Sequence, residues 1–314
     1  MKTKHVPVLL QAALNCLQPK TGGTYLDATL GGAGHALKIL DSLSQAGKLI
    51  AIDQDNLALI NFSKQLQTKG FVVIKEENNY TNLLKGKLQV TLIHANFRNL
   101  RQVLKQVQID CLSGVIADLG LSTDQLSEAT RGFSFLAESE LDMRMDKDLT
   151  ITAKDLLNGL YKGELQKLFE KLGDISFAGK LAQEIVKMRL SKPITTTGQL
   201  KALVQKIVPY KSRKGTNKHP EAKVFQALRI AVNDELNALR EFLPQAFETL
   251  CPGGKLVIIS FHSGEDRIVK NYFKEQVAED NAKFISKLLK PTVEEIKINA
   301  RSSSAKLRAI EKLI

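Results

Sequence analysis

Cysteine is scarce in this sequence, and the spacing of the few that occur excludes two common uses of the residue. Only three are present among 314 residues, Cys16, Cys111 and Cys251, and no two of them form a CxxC pair. An odd number of widely separated cysteines argues against a disulfide framework and against a zinc site, so we expect three core thiols. The five histidines contain no pair at metal-ligand spacing, and no metal is predicted.

Long apolar runs are missing as well. The opening residues, MKTKHVPVLLQAAL, contain an apolar run too short to span a membrane and lack a small-residue cleavage site. We therefore expect a cytoplasmic chain without membrane contact. Internal repeats and low-complexity tracts are not visible, and 43% hydrophobic with 25% charged residues is the composition of a globular protein. A chain of this length can hold two domains, or one domain with a large insertion.

Positive charge is in excess, and it is unevenly distributed. The net charge is +12, and residues 147–218 hold fifteen Lys and Arg against six Asp and Glu. Less than a quarter of the chain therefore carries +9 of the excess. Lys and Arg contacts to phosphates supply most of the sequence-independent affinity of proteins for nucleic acid, so this segment favours a polyanionic partner. A solvated basic surface without a partner is the alternative.

Strand and helix signals alternate from residue 24 to about residue 120. Apolar runs of strand length, TYLDA, KLIAIDQD, QVTLIHANF and LSGVIADLG, are separated by helix-period segments such as HALKIL and NLALINFSKQLQ. This alternation predicts a parallel sheet with helices on both faces. Residues 70–88 fit an extra strand or a hairpin, and we assign no element to them.

Helical patterns replace the alternation after about residue 125. Three amphipathic segments, with Gly173 as a C-cap of the first, precede the basic loop KSRKGTNKHP and one long helix-like run, KVFQALRIAVNDELNALREFLPQAFETL. CPGGKLVIISFHS then resumes the strands. We predict that a mostly helical, basic insertion at 131–217 interrupts an α/β domain formed by 1–130 and 218–314.

A glycine turn, LGGAGH, joins the first predicted strand to its helix. Such turns bind nucleotide-containing ligands in doubly wound folds, because the missing side chains let backbone N–H groups approach the ligand. The third glycine of the G-x-G-x-x-G fingerprint is absent, which weakens the prediction of dinucleotide binding.

Two acidic residues end predicted strands at the same edge of the sheet. Asp53, nineteen positions after Gly34, ends the second strand, where a carboxylate can accept hydrogen bonds from ribose hydroxyls, and Asp118 ends a later strand. These residues predict an adenosine cofactor, without deciding between NAD and S-adenosylmethionine. The alternative is that Gly31 to Gly34 form only a tight turn and that Asp53 caps the next helix.

Five further motifs follow one another along the chain: HVPVLL (5–10), RGFSF (131–135), LDMRMD (141–146), KVFQALRIAVNDEL (223–236) and FHSGEDRIVK (261–270). Together with the terminal RSSSAKLRAIEK they closely resemble the bacterial small-subunit (16S) ribosomal RNA cytosine-N4 methyltransferase family, known as RsmH or MraW. The resemblance spans nearly the whole chain, in order.

This resemblance implies a Rossmann-like class I methyltransferase, with a mixed, mostly parallel sheet and a helical insertion that helps to bind RNA. It implies S-adenosylmethionine as cofactor and, as target, the exocyclic amine of a cytosine in the decoding region of the small subunit. Phe97 would flank the adenine. The cofactor contacts implied by matching motifs are Ala33, Gly34, His35, Asp53, Phe97, Asp118 and Gln125. The sequence departs from the family pattern at Ala33, Asp124, Lys223, Val224 and Gly264.

Cytosine N4 is a poor nucleophile because its lone pair is delocalised into the ring. Methyl transfer therefore needs in-line placement and an acceptor for the amine proton. We hypothesise that Asp142 or Asp118 accepts from N4, Arg144 orients the base or a phosphate, and His262 holds the cytosine. The target base must leave its stack, which suits single-stranded or locally opened RNA.

Some of these motifs also have a structural interpretation. Ser263 and Asp266 have the spacing of a helix cap, and the methionines of LDMRMD could lie in the core. RNA contacts are predicted for the basic loop and the helix after it, with Asn233 as a further candidate on that helix. The predicted RNA-binding residues are Lys211, Arg213, Lys214, Lys218, Lys223 and Arg229.

Three rival functions remain open at this point. A nicotinamide dehydrogenase is disfavoured by the missing third glycine, and a DNA amino-methyltransferase by the absence of an Asp/Asn-Pro-Pro-aromatic motif. A non-catalytic RNA-binding or ribosome-assembly protein would keep the same fold. The expected partner is small-subunit ribosomal RNA or a ribosomal particle, and a homodimer is a further expectation.

Overall fold

The computed structural model describes residues 7–77, 79–121, 129–208 and 219–314. The chain divides into two compact units. The sheet unit comprises residues 1–122 and 236–314, and the helical unit comprises residues 123–235. His5, Gln125, Lys211, Arg213, Lys214 and Lys218, all singled out above, lie outside the described residues.

The sheet unit is built on one sheet, which has nine strands within the described residues. The strand order is β3-β4-β5-β2-β1-β6-β7-β9-β8. The five central strands, which are β5, β2, β1, β6 and β7, are parallel, and each outer strand is antiparallel to the neighbour it pairs with. The mixed, mostly parallel sheet predicted above is therefore confirmed. The strands are β1 (Thr24–Asp27), β2 (Ala46–Asp53), β3 (Val72–Glu77), β4 (Tyr80–Lys85), β5 (Lys87–His94), β6 (Leu112–Asp118), β7 (Leu250–Ser260), β8 (Ala282–Leu289) and β9 (Lys306–Lys312).

Helices cover both faces of this sheet. One face packs against α1, α2 and α3, and the other against α4, α10 and α11. Each helix buries an apolar stripe; α3, for example, buries Leu59, Phe62 and Leu66 at helical spacing. The described helices are α1 (Leu10–Leu17), α2 (Gly34–Leu43), α3 (Asn56–Thr68), α4 (Leu100–Gln106), α5 (Ala153–Gly159), α6 (Lys162–Gly173), α7 (Ala178–Arg189), α8 (Thr197–Ile207), α9 (Pro220–Asn233), α10 (Glu235–Glu248), α11 (Ser263–Ala278) and α12 (Val293–Ile298).

The strand order reverses at β1. From β1 the chain builds the sheet outward through β2 and β5, then returns to add β6 and β7 on the other side of β1. A crevice forms at such a switch point outside the carboxyl ends of the strands, and ligands of open α/β sheets bind there. The ends of β1, β2 and β6 therefore mark the place to look for a site.

Residues 70–88, which the sequence pattern left open, form a hairpin that extends the sheet beyond β5. β3 pairs with β4, and β4 pairs with β5, all antiparallel. Leu83 and Phe71 are buried on the face that α3 covers, whereas Val72 and Ile74 are exposed. β3 is thus the outermost strand on this side.

Cys111 and Cys251 form a disulfide, so the expectation of three core thiols is wrong. Their Cα atoms lie 5.2 Å apart although 140 positions separate them along the chain. The cause is the parallel pairing of β6 with β7, in which the neighbouring residues Leu112 and Leu250 are partners. Sequence spacing carries no trace of this pairing. Cys16 is a free, buried thiol, and burial raises its pKa.

The helical unit packs α6 against α7 and α9 around a core that includes Leu165, Phe169 and Leu228. The predicted long helix over 223–250 is interrupted: Asp234 is left-handed, with φ of 50°, and separates α9 from α10. Aspartate tolerates this conformation better than most residues. As a result α9, predicted to begin the second part of the α/β domain, belongs to the helical unit.

The described residues contain neither a membrane-spanning helix nor a cluster of metal-ligating side chains. None of the helices there is long and apolar enough to cross a membrane. Nor do three or more His, Cys, Asp or Glu side chains in that part of the chain form a group that could hold a metal ion.

Candidate active site

The glycine turn lies against the end of β2. Gly31, with φ of 48°, donates its N–H to Asp53 Oδ2 at 2.8 Å, and Asp55 N–H donates to Oδ1 at 2.8 Å. Two backbone donors therefore fix the orientation of the Asp53 carboxylate. Burial nevertheless raises the pKa of Asp53 to about 6, with these hydrogen bonds opposing the rise. Carboxylate oxygens accept more than one hydrogen bond, so Asp53 can also accept from ribose hydroxyls.

Gly34 has a role that the glycine pattern did not reveal. A Cβ atom at this position would lie 2.0 Å from Pro7 Cγ. The segment Pro7–Leu9, called here the N-terminal strap, therefore rests directly on the turn. Leu9 N–H donates to Glu295 Oε1 at 2.6 Å, and His35 Nε2 lies 3.1 Å from the Val8 carbonyl oxygen. The strap is therefore held by Glu295 of α12 and by His35 of α2.

Two carboxyl groups, those of Asp27 and Asp118, end the neighbouring strands β1 and β6. Asp27 is buried and accepts from Thr29 N–H at 3.1 Å, while Asp118 N–H donates to Thr29 Oγ1 at 2.7 Å. Burial raises the pKa of Asp27 to about 7. Burial, and then the negative charges of Asp27 and Glu265, raise the pKa of Asp118 well above its usual value. Both groups therefore favour their neutral forms.

Asp118 also has an orphaned oxygen. Oδ1 is buried and has no hydrogen-bond partner within the described residues. Oδ2 lies 3.7 Å from His35 Nδ1. A buried polar atom without a partner is costly in a folded protein, so Oδ1 is suited to accept from a ligand.

Phe97 lies in a short 3-10 turn after β5. Its ring meets that of Phe242 edge to face, with centroids 5.0 Å apart, and it stays partly exposed. Because His94 pairs with Asp53 across β5 and β2, the Phe97 turn follows the strand beside Asp53. The described residues thus offer a ring for an adenine and a carboxylate for a ribose, which fits the adenosine part of S-adenosylmethionine.

The cap of α11 lies one residue earlier than the sequence suggested. His262, and not Ser263, is the N-cap: its Nδ1 accepts from Gly264 N–H at 3.2 Å and Glu265 N–H at 3.4 Å. Glu265 Oε2 accepts in turn from the N–H groups of Phe261 and His262. Histidine is an unusual cap, which is why the spacing pointed to Ser263 with Asp266. Asp266 instead pairs with residues of β9.

His262 is mostly buried, and its ring is fixed by this cap. Because Nδ1 accepts backbone N–H groups, a neutral ring carries its proton on Nε2. Nε2 lies 3.2 Å from Glu265 Oε1, without hydrogen-bond geometry. Glu265, which sequence analysis missed, therefore positions the ring of a predicted site residue.

Asp142 and Arg144 of the helical unit form a two-point ion pair. Arg144 Nε donates to Asp142 Oδ1 at 2.6 Å and Nη2 donates to Oδ2 at 2.9 Å. Burial would raise the pKa of Asp142, but hydrogen bonds from Arg144 and its charge outweigh burial and lower it. Arg144 Nη1 also donates to the carbonyls of Lys147 and Leu149. Both side chains therefore brace their own loop.

The motifs RGFSF, LDMRMD and ALRIAVN meet inside the helical unit. Arg131 Nη2 donates to the carbonyls of Arg144 and Met145, and Asn233 bonds the backbone of Met143 and Met145. Both methionines are buried, so the core interpretation of this loop is confirmed for them. The expectation that Asn233 contacts RNA is wrong, because its side chain is buried in this network.

The predicted RNA contacts on α9 differ in their surroundings. Arg229 forms a two-point ion pair with Glu235, with nitrogen–oxygen distances of 2.8 and 2.9 Å. Its charge is therefore compensated within the unit. Lys223 is only partly buried.

Comparison with known proteins gives matches along the whole chain. The model of the MraW methylase family matches residues 2–313. "Ribosomal RNA small subunit methyltransferase H" of Heliobacterium modesticaldum is 40% identical over 328 residues, covering 98% of each chain. The protein of the same name from Heliobacterium mobile is 40% identical over 330 residues, covering all of both chains, and that from Brevibacillus brevis is 38% identical over 325 residues, covering 98% of each.

Among solved structures, a putative rRNA methylase from Clostridium thermocellum matches 99% of this chain and 100% of its own, with a TM-score of 0.46 and 14% identity. A putative methyltransferase from Streptococcus mutans in complex with SAH matches 99% of this chain and 100% of its own, with a TM-score of 0.44 and 14% identity. The full-length matches in sequence decide the assignment: this chain belongs to the MraW methylase family and is an S-adenosylmethionine-dependent methyltransferase.

Proposed function

We propose that this chain methylates N4 of one cytosine in the decoding region of small-subunit ribosomal RNA. Family membership and the names of its relatives support ribosomal RNA as the substrate. The observation that carries the chemistry is the buried Oδ1 of Asp118, which has no hydrogen-bond partner within the described residues. An oxygen of this kind can accept from an amine.

The proposed cofactor contacts use backbone and side chains of the sheet unit. Ala33, Gly34 and His35 would present the turn's backbone, Asp53 would accept from the ribose hydroxyls, and Phe97 would flank the adenine. Gln125 completes the proposed set. The bound cofactor would supply a methyl group on a sulfonium ion.

Of the two candidate proton acceptors, the geometry favours Asp118. Both oxygens of Asp142 are bound by Arg144, and the pKa of Asp142 is lowered. Asp118 has an orphaned oxygen within the described residues and a raised pKa. We therefore assign proton acceptance to Asp118 and loop support to Asp142. We propose that Arg144 contacts a phosphate of the RNA, in addition to its bonds to Asp142 and to two backbone carbonyls.

His262 would hold the target base through its Nε2 proton. The oxygen and ring nitrogen of cytosine accept hydrogen bonds, whereas the amine donates them. A ring that donates from Nε2 and a carboxylic group that accepts at Oδ1 could therefore recognise the acceptor and donor groups on the Watson–Crick edge of cytosine.

RNA binding is proposed for the basic surface of the helical unit. Exposed lysines occur along α6 and α7 and after them, in addition to the predicted contacts at Lys211, Arg213, Lys214, Lys218 and Lys223; Arg229 contributes less because Glu235 compensates its charge. Phosphate contacts of this kind are independent of sequence and weaken with salt. A cytoplasmic location and a homodimer stay predictions.

The direct test is transfer of labelled methyl groups from S-adenosylmethionine to small-subunit particles, followed by nucleoside mapping. N4-methylcytidine at a single position is expected. A methyl group on cytosine C5 or on a ribose would overturn the proposal. Particle binding without methyl incorporation would support the non-catalytic alternative, and binding of NAD in place of S-adenosylhomocysteine would support the dehydrogenase.

A further inference from the structure

His35 has a fixed tautomer. Its side chain is buried, and Nε2 lies 3.1 Å from the carbonyl oxygen of Val8. A carbonyl oxygen only accepts, so the proton of a neutral ring must be on Nε2. Nδ1 is then the basic nitrogen. The N-terminal strap, anchored by Glu295 through Leu9 N–H, therefore decides which nitrogen of His35 can take up a proton.

The basic nitrogen faces Asp118. Nδ1 lies 3.7 Å from Asp118 Oδ2, so a small movement would bring the two atoms to hydrogen-bond distance. Two unprotonated atoms would repel each other, whereas one proton between them makes the contact attractive. The two oxygens of Asp118 thus differ: Oδ2 faces an imidazole nitrogen, and Oδ1 has no hydrogen-bond partner within the described residues.

The charged groups around this pair favour a proton on it. Asp27 acts on Asp118 from β1, and Glu265 acts from α11; both carry negative charge when ionised, and Asp53 acts on Asp27 in turn. Burial adds to their effect. A neutral Asp118 that carries its proton on Oδ2 would donate to Nδ1 and keep Oδ1 as an acceptor.

We propose that His35 is the final proton acceptor of the reaction and that Asp118 acts as a two-oxygen relay between cytosine N4 and His35 Nδ1. The inference rests on the proposed function. When N4 bonds to the methyl carbon, the carbon–sulfur bond breaks with its electron pair on sulfur, and N4 must lose one proton. Asp118 takes that proton on Oδ1 and gives its own proton from Oδ2 to Nδ1. His35 becomes an imidazolium, Asp118 stays neutral, and His35 returns the proton to solvent after product release.

The test is the pH profile of single-turnover methyl transfer for His35→Gln. Glutamine can still donate to the Val8 carbonyl, but it cannot take up a proton. In this variant only ionised Asp118 can accept from N4, and its surroundings disfavour that form. We expect a rate about 10-fold to 100-fold lower at pH 7, a deficit that shrinks as the pH rises, and an acid limb displaced to higher pH.

His94→Gln is the matched control. His94 Nε2 also lies 3.1 Å from a backbone carbonyl, that of Gln54, at the end of a neighbouring strand. Because the charge of His94 lowers the pKa of Asp53, which is about 6, the comparison is made above about pH 7, where any deficit of this variant should be the same at every pH. A pH-independent deficit of His35→Gln, or an acid limb that stays in place, would overturn the relay and leave His35 a structural residue.

Nitrogen NMR of protein labelled at histidine tests the relay without any RNA. The expected spectrum shows a neutral His35 with its proton on Nε2, and Asp118→Asn should move the Nδ1 resonance. A proton found on Nδ1 with Nε2 bare would refute the relay even if methyl transfer occurs. Conversely, the expected spectrum from a protein that transfers no methyl group to RNA would refute the proposed function and leave the pair's geometry in place.

Discussion

At the scale of single residues, this protein places similar carboxylates in opposite electrostatic situations. Asp27, Asp53 and Asp118 lie at the carboxyl edge of the sheet, where burial raises their pKa values. Asp142 is tied to Arg144, which lowers its pKa despite burial. Pairs of titratable groups whose pKa values are pushed apart by their surroundings indicate which group exchanges protons.

Asp118→Asn and Asp142→Asn should therefore fail in different ways. Asp118→Asn is expected to lower the single-turnover rate at saturating cofactor by about 100-fold or more, because the amide cannot accept the amine proton. Asp142→Asn should mainly lower the free energy of unfolding, by about 1 kcal/mol, since its ion pair is partly exposed. Quench-flow methyl transfer and urea unfolding measure the two effects. Equal loss of rate in both variants, without loss of stability in either, would contradict the assignment.

The pH dependence of stability should reflect Asp27. Its pKa is about 7 in the folded protein and close to 3.8 when unfolded, so the folded state binds more protons between these values. The free energy of unfolding must then fall as the pH rises from about 4 to about 7, by on the order of 4 kcal/mol from this residue. Groups with lowered pKa values, such as Asp142, act below that window. Urea unfolding across the window should show a flatter dependence for Asp27→Asn; an unchanged slope would argue against a buried, protonated Asp27.

At the scale of structural elements, the loop at 141–146 depends on contacts from distant parts of the helical unit. Arg131 and Asn233 bond its backbone from 13 or more positions away, and Gly132 allows the chain to pass close to it. Gly132 has φ of 74°, and a Cβ atom there would lie 2.3 Å from the carbonyl oxygen of Glu140. The motif RGFSF is thus explained by the support it gives to LDMRMD.

Gly132→Ala should destabilise the helical unit by about 2 to 4 kcal/mol, because the left-handed backbone and the clash with a backbone oxygen both penalise alanine. Gly163→Ala is the matched control: Gly163 lies in α6 with no atom within 4 Å of its Cβ position. That change should stabilise the helix by about 0.5 to 1 kcal/mol. Thermal unfolding of the two variants gives the comparison, and a Gly132→Ala protein as stable as the parent would show that the loop can rearrange.

The elements that could be predicted from the sequence are those with local signals. Alternating apolar runs predicted the strands around β1, and the acidic residues that end β2 and β6 predicted Asp53 and Asp118 at one edge. Residues 70–88 have mixed periodicity and gave no assignment. The cap at His262, the contact of Pro7 with Gly34 and the break at Asp234 depend on neighbours distant in sequence or on unusual cap chemistry, so no local pattern could reveal them.

At the scale of the whole molecule, the disulfide ties the two strands between which the helical unit is inserted. Cys111 precedes β6 and Cys251 lies in β7, so the covalent loop of 140 positions contains residues 123–235 entirely. Closing a long loop restricts the unfolded chain more than closing a short one. The connection therefore bears on the stability of the chain as a whole.

Reduction should lower the free energy of unfolding by about 2 to 5 kcal/mol, the range expected for a loop of this length. The double variant Cys111→Ser with Cys251→Ser should show the same loss and no further response to reductant. Thiol titration of the denatured, unreduced protein should find one free thiol, that of Cys16. Three free thiols would rule out the disulfide.

The hairpin of β3 and β4 has a consequence for behaviour at high concentration. It places β3 at the edge of the sheet, where Val72 and Ile74 are exposed and where, among the described residues, no further strand pairs with the backbone of β3. Exposed edge strands of this kind can pair with other chains and start aggregation unless charged residues interrupt them. Lys75, Glu76 and Glu77 lie on the same strand and supply that charge. We therefore expect these three residues to act as gatekeepers against intermolecular β-pairing.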